Sequence, residues 1–155
     1  MATKRDGGLR PLFHKHIRDF DWQAVETGLT ISGCPDSNYC FEGVEGWVEF
    51  KHTNGLAVKF EDLQPAWIIR RTRHGGRVWI VVRQTGRAHN GVDRDTLSVY
   101  WGGLVADLHR DGVRCNRYHL RMTGGPRQWV WPDIRLTLLS TPICTAFSDG
   151  DGEAE

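Results

Sequence analysis

The chain has 155 residues, of which 39% are hydrophobic and 25% charged, a composition typical of a soluble globular domain. It contains no run of about 18 apolar residues, which excludes a membrane-spanning helix. The formal net charge is +1, but residues 148–155 hold four acids and no base, so the remainder carries 20 basic against 15 acidic residues. A basic body of this kind suits a protein that approaches a polyanion such as nucleic acid.

The two ends of the sequence bear on domain organisation and location. Residues 1–10 are polar and basic and lack the apolar centre of a signal peptide. We therefore expect a cytoplasmic protein, in the host cytoplasm if the chain is viral, with no membrane partner. We expect a single domain over residues 1–147, followed by a disordered acidic tail over residues 148–155.

The N-terminal part predicts a helix followed by a β-hairpin. Apolar residues recur at roughly helical intervals over residues 12–26, which predicts a helix there. Pro35 then favours a turn, because its ring fixes its own φ and restricts the residue before it. The short runs 39–42 and 46–52 predict the two strands of the hairpin.

The second strand of this hairpin has a distinctive alternation. In a strand, successive side chains point to opposite faces. Trp47, Glu49 and Lys51 therefore share one face, and Val48 and Phe50 share the other. An acid and a base beside a large aromatic are unusual on the face of a plain core strand.

The rest of the chain predicts a mixture of helices and strands. Residues 60–73 predict a helix, because acids in the first turn and arginines in the last match the helix dipole. The continuous apolar run 78–82 predicts a strand buried on both faces, which would complete a βαβ unit. Further elements are expected as a glycine-rich loop over residues 85–91, strands over 97–101 and 129–139, and a short helix over 103–110. These elements predict an α/β or α+β domain.

Four cysteines fall at irregular spacings without a CxxC pair, so free thiols are expected rather than a disulfide framework. Cys115 and His119 are spaced as one half of a zinc site. Cys34 and Cys40 would have to form the other half, and their spacing is unsuited to it. A zinc-stabilised structural domain is therefore one alternative to the enzyme described below. The fourth cysteine is Cys144.

Asp36 and Glu49 form the pair of acids that carries the most chemical information. Antiparallel pairing in the hairpin brings them close together. Two carboxylates about 4 Å apart repel by roughly 1 to 4 kcal/mol, and a divalent cation removes that repulsion. Magnesium prefers oxygen ligands of this type, and the backbone carbonyl of Phe50 would be a further one. Lys51, on the same face as Glu49, would assist an attacking water.

The arrangement of Asp36 with Glu49-x-Lys51 resembles the PD-(D/E)xK nuclease superfamily. The flanking residues make it similar to the small phage-type, VRR-NUC-like and Holliday-junction-resolvase-like members, over residues 26–82. The matching residues are Gly33-x-Pro35-Asp36, Gly46-Trp47-Val48-Glu49-Phe50-Lys51, and Gln64 in the next helix.

The resemblance implies a restriction-endonuclease-like core, with a central mixed β-sheet flanked by helices. It implies a DNA endonuclease that hydrolyses phosphodiester bonds with Mg²⁺ or Mn²⁺, and in which Gln64 lies at the active site. Many members have an acidic residue further upstream. Glu26 is our candidate for this additional metal ligand, with Asp19 and Asp21 behind it. Structure-selective cleavage of branched or nicked DNA and a homodimer are further implications.

Four basic residues are candidates for DNA binding: Lys59, Arg70, Arg71 and Arg73. Arginine suits phosphate recognition because its planar guanidinium can donate two parallel hydrogen bonds. Two alternatives to a structure-selective nuclease stay open. One is a site-specific homing or restriction-type endonuclease, and the other is a non-catalytic nucleic-acid-binding module on the same fold.

Overall fold

The computed structural model describes residues 5–25 and 33–142, which form one six-stranded sheet with helices on both faces. The strands are β1 (Asp21–Ala24), β2 (Ser37–Phe41), β3 (Val44–Thr53), β4 (Val78–Arg87), β5 (Asp93–Trp101) and β6 (Leu120–Met122). The helices are α1 (Leu9–His16), α2 (Gln64–Arg73), α3 (Val105–Asp111) and α4 (Trp131–Leu139), with 3-10 turns at Gly102–Leu104 and Gly112–Arg114.

The sheet is mixed, and its strands lie in sequence order from β1 to β6. Strands β3 and β4 run parallel, with α2 in the connection between them, and every other neighbouring pair is antiparallel. The expected hairpin is therefore confirmed as β2 and β3, and the expected strand–helix–strand unit as β3, α2 and β4. A mixed sheet with flanking helices is an α+β architecture.

The two faces of the sheet are covered by different helices. Phe13 of α1 and Ile134 of α4 belong to one buried cluster, together with Val48 and Phe50 of β3. Ile68 of α2 belongs to the cluster on the opposite face, which also includes residues of α3. Strand β4 contributes to both clusters, as expected for an apolar run buried on both sides. The predicted alternation along β3 is thereby confirmed.

The N-terminal helix differs from its prediction. Helix α1 covers Leu9–His16, and the chain then turns into the edge strand β1. Asp6, in the turn before the helix, stabilises its start: the Asp6 carboxylate accepts hydrogen bonds from the backbone N–H groups of Gly8 (3.0 Å) and Arg10 (3.2 Å). Phe20 continues the helical spacing but stacks on an aromatic ring of the sheet, so tertiary packing overrides the sequence pattern.

Proline accounts for two further corrections. The prediction of a strand over residues 129–139 is wrong, because α4 covers Trp131–Leu139 with Pro132 in its first turn. Helix α2 begins at Gln64, not at residue 60, and Pro65 occupies the same early position. Proline is favoured there because the first N–H groups of a helix have no intrahelical acceptor.

Strands β4 and β5 are longer than predicted and form an extended hairpin. Their pairing continues to Arg87↔Asp93, so residues 85–87 of the expected loop are strand and residues 88–91 form the loop. The short helix expected over residues 103–110 is confirmed by the 3-10 turn and α3. None of the helices in the described ranges is long and apolar enough to cross a membrane.

Candidate active site

Glu49 lies in the middle of β3 on the face covered by α2, and only 1% of its surface is exposed. Its Oε1 atom accepts a hydrogen bond from the Gln64 side-chain amide at 2.8 Å and forms an ion pair with Lys51 Nζ at 2.8 Å. Lys51 Nζ also donates to Gln64 Oε1 at 2.7 Å. The acid, the base and the amide therefore form a closed triangle between β3 and the start of α2.

The other carboxylate oxygen of Glu49, Oε2, is buried without a hydrogen-bond partner among the described residues. A buried carboxylate oxygen without a partner is costly, because it has lost its hydration without compensation. Neither Lys51 nor Gln64 contacts it, since both are engaged with Oε1. This oxygen is therefore available to a water molecule or a cation.

Asp36 approaches the site from the loop before β2. Its Oδ2 atom accepts the backbone N–H of Phe50 at 3.1 Å, which orients the carboxylate beside β3. The antiparallel register pairs the next residue, Ser37, with Val48 and so sets Asp36 level with the Glu49 region. Asp36 and Glu49 line the same cleft.

The carboxyl pKa values reflect this proximity. Burial, followed by the charge of Asp36, raises the pKa of Glu49 to about 7, against the opposing effects of Lys51 and Gln64. Burial also raises the pKa of Asp36, and the Phe50 N–H is the largest opposing influence. Near neutral pH it is therefore costly for both carboxyl groups to be ionised at once, and a bound cation would lower that cost.

A cleft of about 780 Å³ opens over the two carboxylates. Basic groups from three different segments line it, namely Arg5, Arg10 and Lys59. Phe60 forms one wall, with its ring centroid 5.0 Å from Lys51 Nζ. The remaining lining residues are Asp6, Pro11, Asp36, Glu49, Phe50, Lys51, His52, Glu61 and Gln64.

Arg10 and Asp6 are site residues that the sequence reasoning missed. They enter the cleft because α1 packs against β3, as the edge-to-face contact of Phe13 with Phe50 at 5.0 Å shows. The charges of both residues act on the pKa of Asp36, Arg10 lowering it and Asp6 raising it. No local motif marks them, since their position depends on the packing of a helix distant in sequence.

Gly33 holds the loop of Asp36 against the start of α2. Its φ is +85°, and a Cβ there would overlap the carbonyl of Leu63 and lie 3.1 Å from Gln64 N. Only glycine permits this approach without strain. Gly33 thus keeps Asp36 and Gln64 in fixed relation.

The four basic DNA-binding candidates separate into three environments. Lys59 lines the cleft. Arg71 packs against the rings of Trp47 and Trp67, with its guanidinium carbon 5.8 and 5.6 Å from their centroids. Arg70 and Arg73 line a separate surface hollow near the other end of α2. A role for these three arginines in DNA binding stays a prediction.

Three acids were candidates for an additional upstream metal ligand: Glu26, Asp19 and Asp21. Glu26 lies outside the described residues, although the preceding residue, Val25, donates its backbone N–H to the Asp36 carbonyl at 2.9 Å. Asp19 is bound instead to Arg135, with 2.6 Å between Oδ2 and Nη2. Asp21 lies on the exposed edge strand β1.

The described residues contain no group of three or more His, Cys, Asp or Glu side chains that could hold a metal ion. Cys34, Cys40 and Cys115 are free thiols, which gives no support to a zinc-stabilised domain. A pair of carboxylates still fits magnesium, which commonly takes one or two carboxylates and completes its shell with water and substrate phosphate. The unpartnered Oε2 of Glu49 is the observation in favour of such a fit.

The chain was compared with protein-family models, with curated proteins and with solved structures, and no match was found in any of the three.

Proposed function

We propose that this chain is a metal-dependent DNA endonuclease of the PD-(D/E)xK type, built on a restriction-endonuclease-like core. The observation that carries the proposal is the buried, unpartnered Oε2 of Glu49, in a cleft shared with the Asp36 carboxylate and the Lys51 amine. A structural ion pair alone would leave no reason to bury a carboxylate oxygen without a partner.

Asp36 and Glu49, together with the backbone carbonyl of Phe50, would hold Mg²⁺ or Mn²⁺ between them. When bound, the cation supplies positive charge at the scissile phosphate and makes water a stronger nucleophile. The Phe50 N–H keeps Asp36 oriented toward the cleft. The raised pKa of Glu49 means that cation binding would drive off any proton held there.

Lys51 would act on the attacking water and the phosphate. Its ammonium has three donor hydrogens, and Glu49 and Gln64 engage two of them. The third is available to orient water or to stabilise charge that develops on a phosphate oxygen. Because its side chain is only 13% exposed, its position is held by the protein.

Gln64 would act as a positioning residue. Its amide nitrogen donates to Glu49 and its carbonyl oxygen accepts from Lys51. The same oxygen accepts the backbone N–H of Glu61 at 3.0 Å, which ties the site to the loop before α2. Gln64 therefore sets the separation between the acid and the base.

A nucleic-acid substrate is supported by the charge of the cleft rim. Arg5, Arg10 and Lys59 would contact phosphates on either side of the bond to be cut. The choice of DNA, the preference for branched or nicked substrates, and a homodimer that cuts two strands rest on the resemblance of Asp36, Glu49 and Lys51 to that superfamily's motif.

The decisive experiment incubates the purified chain with linear, nicked, flapped and four-way-junction DNA, in Mg²⁺ and separately in Ca²⁺. We expect cleavage with Mg²⁺ and binding without cleavage with Ca²⁺, with the highest rate on a branched or nicked substrate. Asp36→Asn should abolish cleavage while keeping the fold, because its side-chain oxygen can still accept from Phe50. Lys51→Ala should lower the rate by about 10² to 10³-fold.

Two outcomes would oppose the proposal. Binding of DNA with no Mg²⁺-dependent cleavage of any substrate would favour the non-catalytic module. Full cleavage by Asp36→Asn would show that the Asp36 carboxylate is not needed and that the reaction does not take place in this cleft. Cleavage of linear DNA at one sequence only would support the catalytic site, but it would favour a site-specific endonuclease over a structure-selective one.

A further inference from the structure

A hollow of about 490 Å³ lies on the exposed face of α2, apart from the cleft. Ala66 and Ile69 form its apolar part, and Arg70, Arg73 and His74 supply its basic groups. These positions recur at intervals of three and four, so they share one side of the helix. Among the described residues, the guanidinium groups of Arg70 and Arg73 take part in no hydrogen bond or ion pair.

Several acids of the segments around α2 already have partners among the described residues. Helix α2 contains no acid. The Glu45 carboxylate accepts a hydrogen bond from Asn38 at 3.2 Å. On α3, which packs beside α2, Asp107 is paired with Arg110 and Arg117 at 3.1 and 3.0 Å. Among the described residues, no acid lines the hollow.

The described part of the chain ends next to this surface. Arg77, three residues beyond His74, donates from Nε to the carbonyl of Ser140 at 3.0 Å and from Nη1 to the carbonyl of Glu45 at 3.1 Å. The last described residue, Pro142, is two residues further on. The described chain therefore ends close to the segment that joins α2 to β4.

The sequence that follows has complementary charge and spacing. Residues 148–155 carry acids at every second position, separated by glycine and alanine, and no base; the acids are Asp149, Asp151, Glu153 and Glu155. In an extended chain such residues share one side and repeat every 6 to 7 Å or so. The Cβ atoms of Arg70 and Arg73, at i and i+3 on a helix, are about 5 to 6 Å apart. Asp149 is seven residues beyond Pro142, a stretch that spans up to about 25 Å when extended.

We propose that residues 148–155 bind in the hollow on α2, with their carboxylates on Arg70, Arg73 and His74 and with Ala154 against the apolar part. The tether gives the segment an effective concentration of about millimolar, which favours it over a free polyanion. The contact covers basic groups that would otherwise attract nucleic acid, about 9 to 15 Å along α2 from Gln64. This docking does not depend on the proposed nuclease function.

The test records ¹⁵N spectra of the full chain and of a variant with a neutral segment, D149N/D151N/E153Q/E155Q. We expect the amide resonances of Ile69, Arg70, Arg73 and His74 to shift between the two proteins. The difference should vanish in about 1 M salt, where charges are screened beyond about 3 Å. The matched control removes four acids elsewhere, D21N/E42Q/D93N/D133N, and should leave those resonances in place.

The reciprocal measurement uses R70Q/R73Q in the full chain. It should shift the resonances of residues 149–155, and neutralising the segment in this background should cause no further change on α2. Docking is overturned if the α2 resonances respond no more to the neutral segment than to the control. It is also overturned if a short DNA strand shifts the α2 resonances equally in the wild type and in the neutral-segment variant, because the hollow would then be a nucleic-acid surface unoccupied by the segment.

Discussion

The side-chain amide of Gln64 donates to Glu49 Oε1 at 2.8 Å and so joins the first turn of α2 to the centre of β3. Because the Gln64 oxygen also accepts from Lys51, this one side chain fixes both the acid and the base of the candidate site. Helix α2 is therefore part of the site as well as a cover for the sheet.

Gln64→Ala should lower both stability and activity. The substitution leaves buried groups of Glu49 and Lys51 without a partner, which costs about 1 to 3 kcal/mol in the free energy of unfolding. Urea denaturation measures this change. Gln84→Ala is the matched control, since the Gln84 amide donates to Gly55 at an exposed position and its loss should have little effect. Equal losses in the two variants would contradict the structural role of Gln64.

The raised pKa of Glu49 predicts a specific dependence of stability on pH when no divalent cation is present. Between pH 4.5 and about 7 the folded protein holds a proton on Glu49 that the unfolded chain has released. The free energy of unfolding should therefore fall as the pH rises through this window. At about 1.4 kcal/mol per pKa unit, the fall is of the order of 3 kcal/mol.

Urea denaturation in EDTA at pH 5 and pH 8 tests this prediction through the difference between wild type and Glu49→Gln. The variant cannot ionise at this position, so its stability should lack the Glu49 component and should fall less between the two pH values. Parallel pH profiles would show that Glu49 titrates normally. Added Mg²⁺ should restore stability to the wild type at pH 8 and not to the variant.

Alanine substitutions at Gly33 and Gly43 distinguish the cost of a positive φ from the cost of a steric overlap. Both have positive φ, +85° and +83°, but a Cβ on Gly43 would meet nothing within 4 Å. Gly43→Ala should therefore cost only the conformational penalty, about 1 to 2 kcal/mol. Gly33→Ala should cost clearly more and should also reduce cleavage, because it pushes the Asp36 loop away from Leu63. Thermal unfolding and activity assays on both variants measure this, and equal behaviour would contradict the role assigned to Gly33.

Arg10 and Lys59 should contribute to nucleic-acid binding mainly through phosphates. Removing both as Arg10→Gln and Lys59→Gln should make the slope of log K against log salt shallower by about 1.8 for duplex DNA, since each contact releases counterions. Fluorescence anisotropy in Ca²⁺ over a range of salt concentrations measures the slope. Arg18→Gln with Arg127→Gln removes two exposed arginines that do not line the cleft and is the charge-matched control. An unchanged slope in the Arg10→Gln, Lys59→Gln variant would show that these two residues do not contact nucleic-acid phosphates.

The local elements that follow from short-range rules were predictable from sequence. The hairpin of β2 and β3 follows from alternation and turn residues, and the buried β4 from its continuous apolar run. The alternation along β3 correctly assigns Glu49 and Lys51 to one face. The strand expected over residues 129–139 and the helix start expected at residue 60 were wrong, and in both places a proline, Pro132 or Pro65, lies in the first turn of the observed helix.

The sequence by itself determined which residues make up the candidate site, namely Asp36, Glu49, Lys51 and Gln64. Spacing along a strand or helix governs which side chains share a face, so these residues could be identified from short-range patterns. Only the tertiary structure decided that α1 brings Arg10 and Asp6 to the cleft and that Glu49 is buried with one oxygen unpartnered. Those features depend on contacts between segments far apart in the chain, whose geometry and desolvation no local pattern encodes.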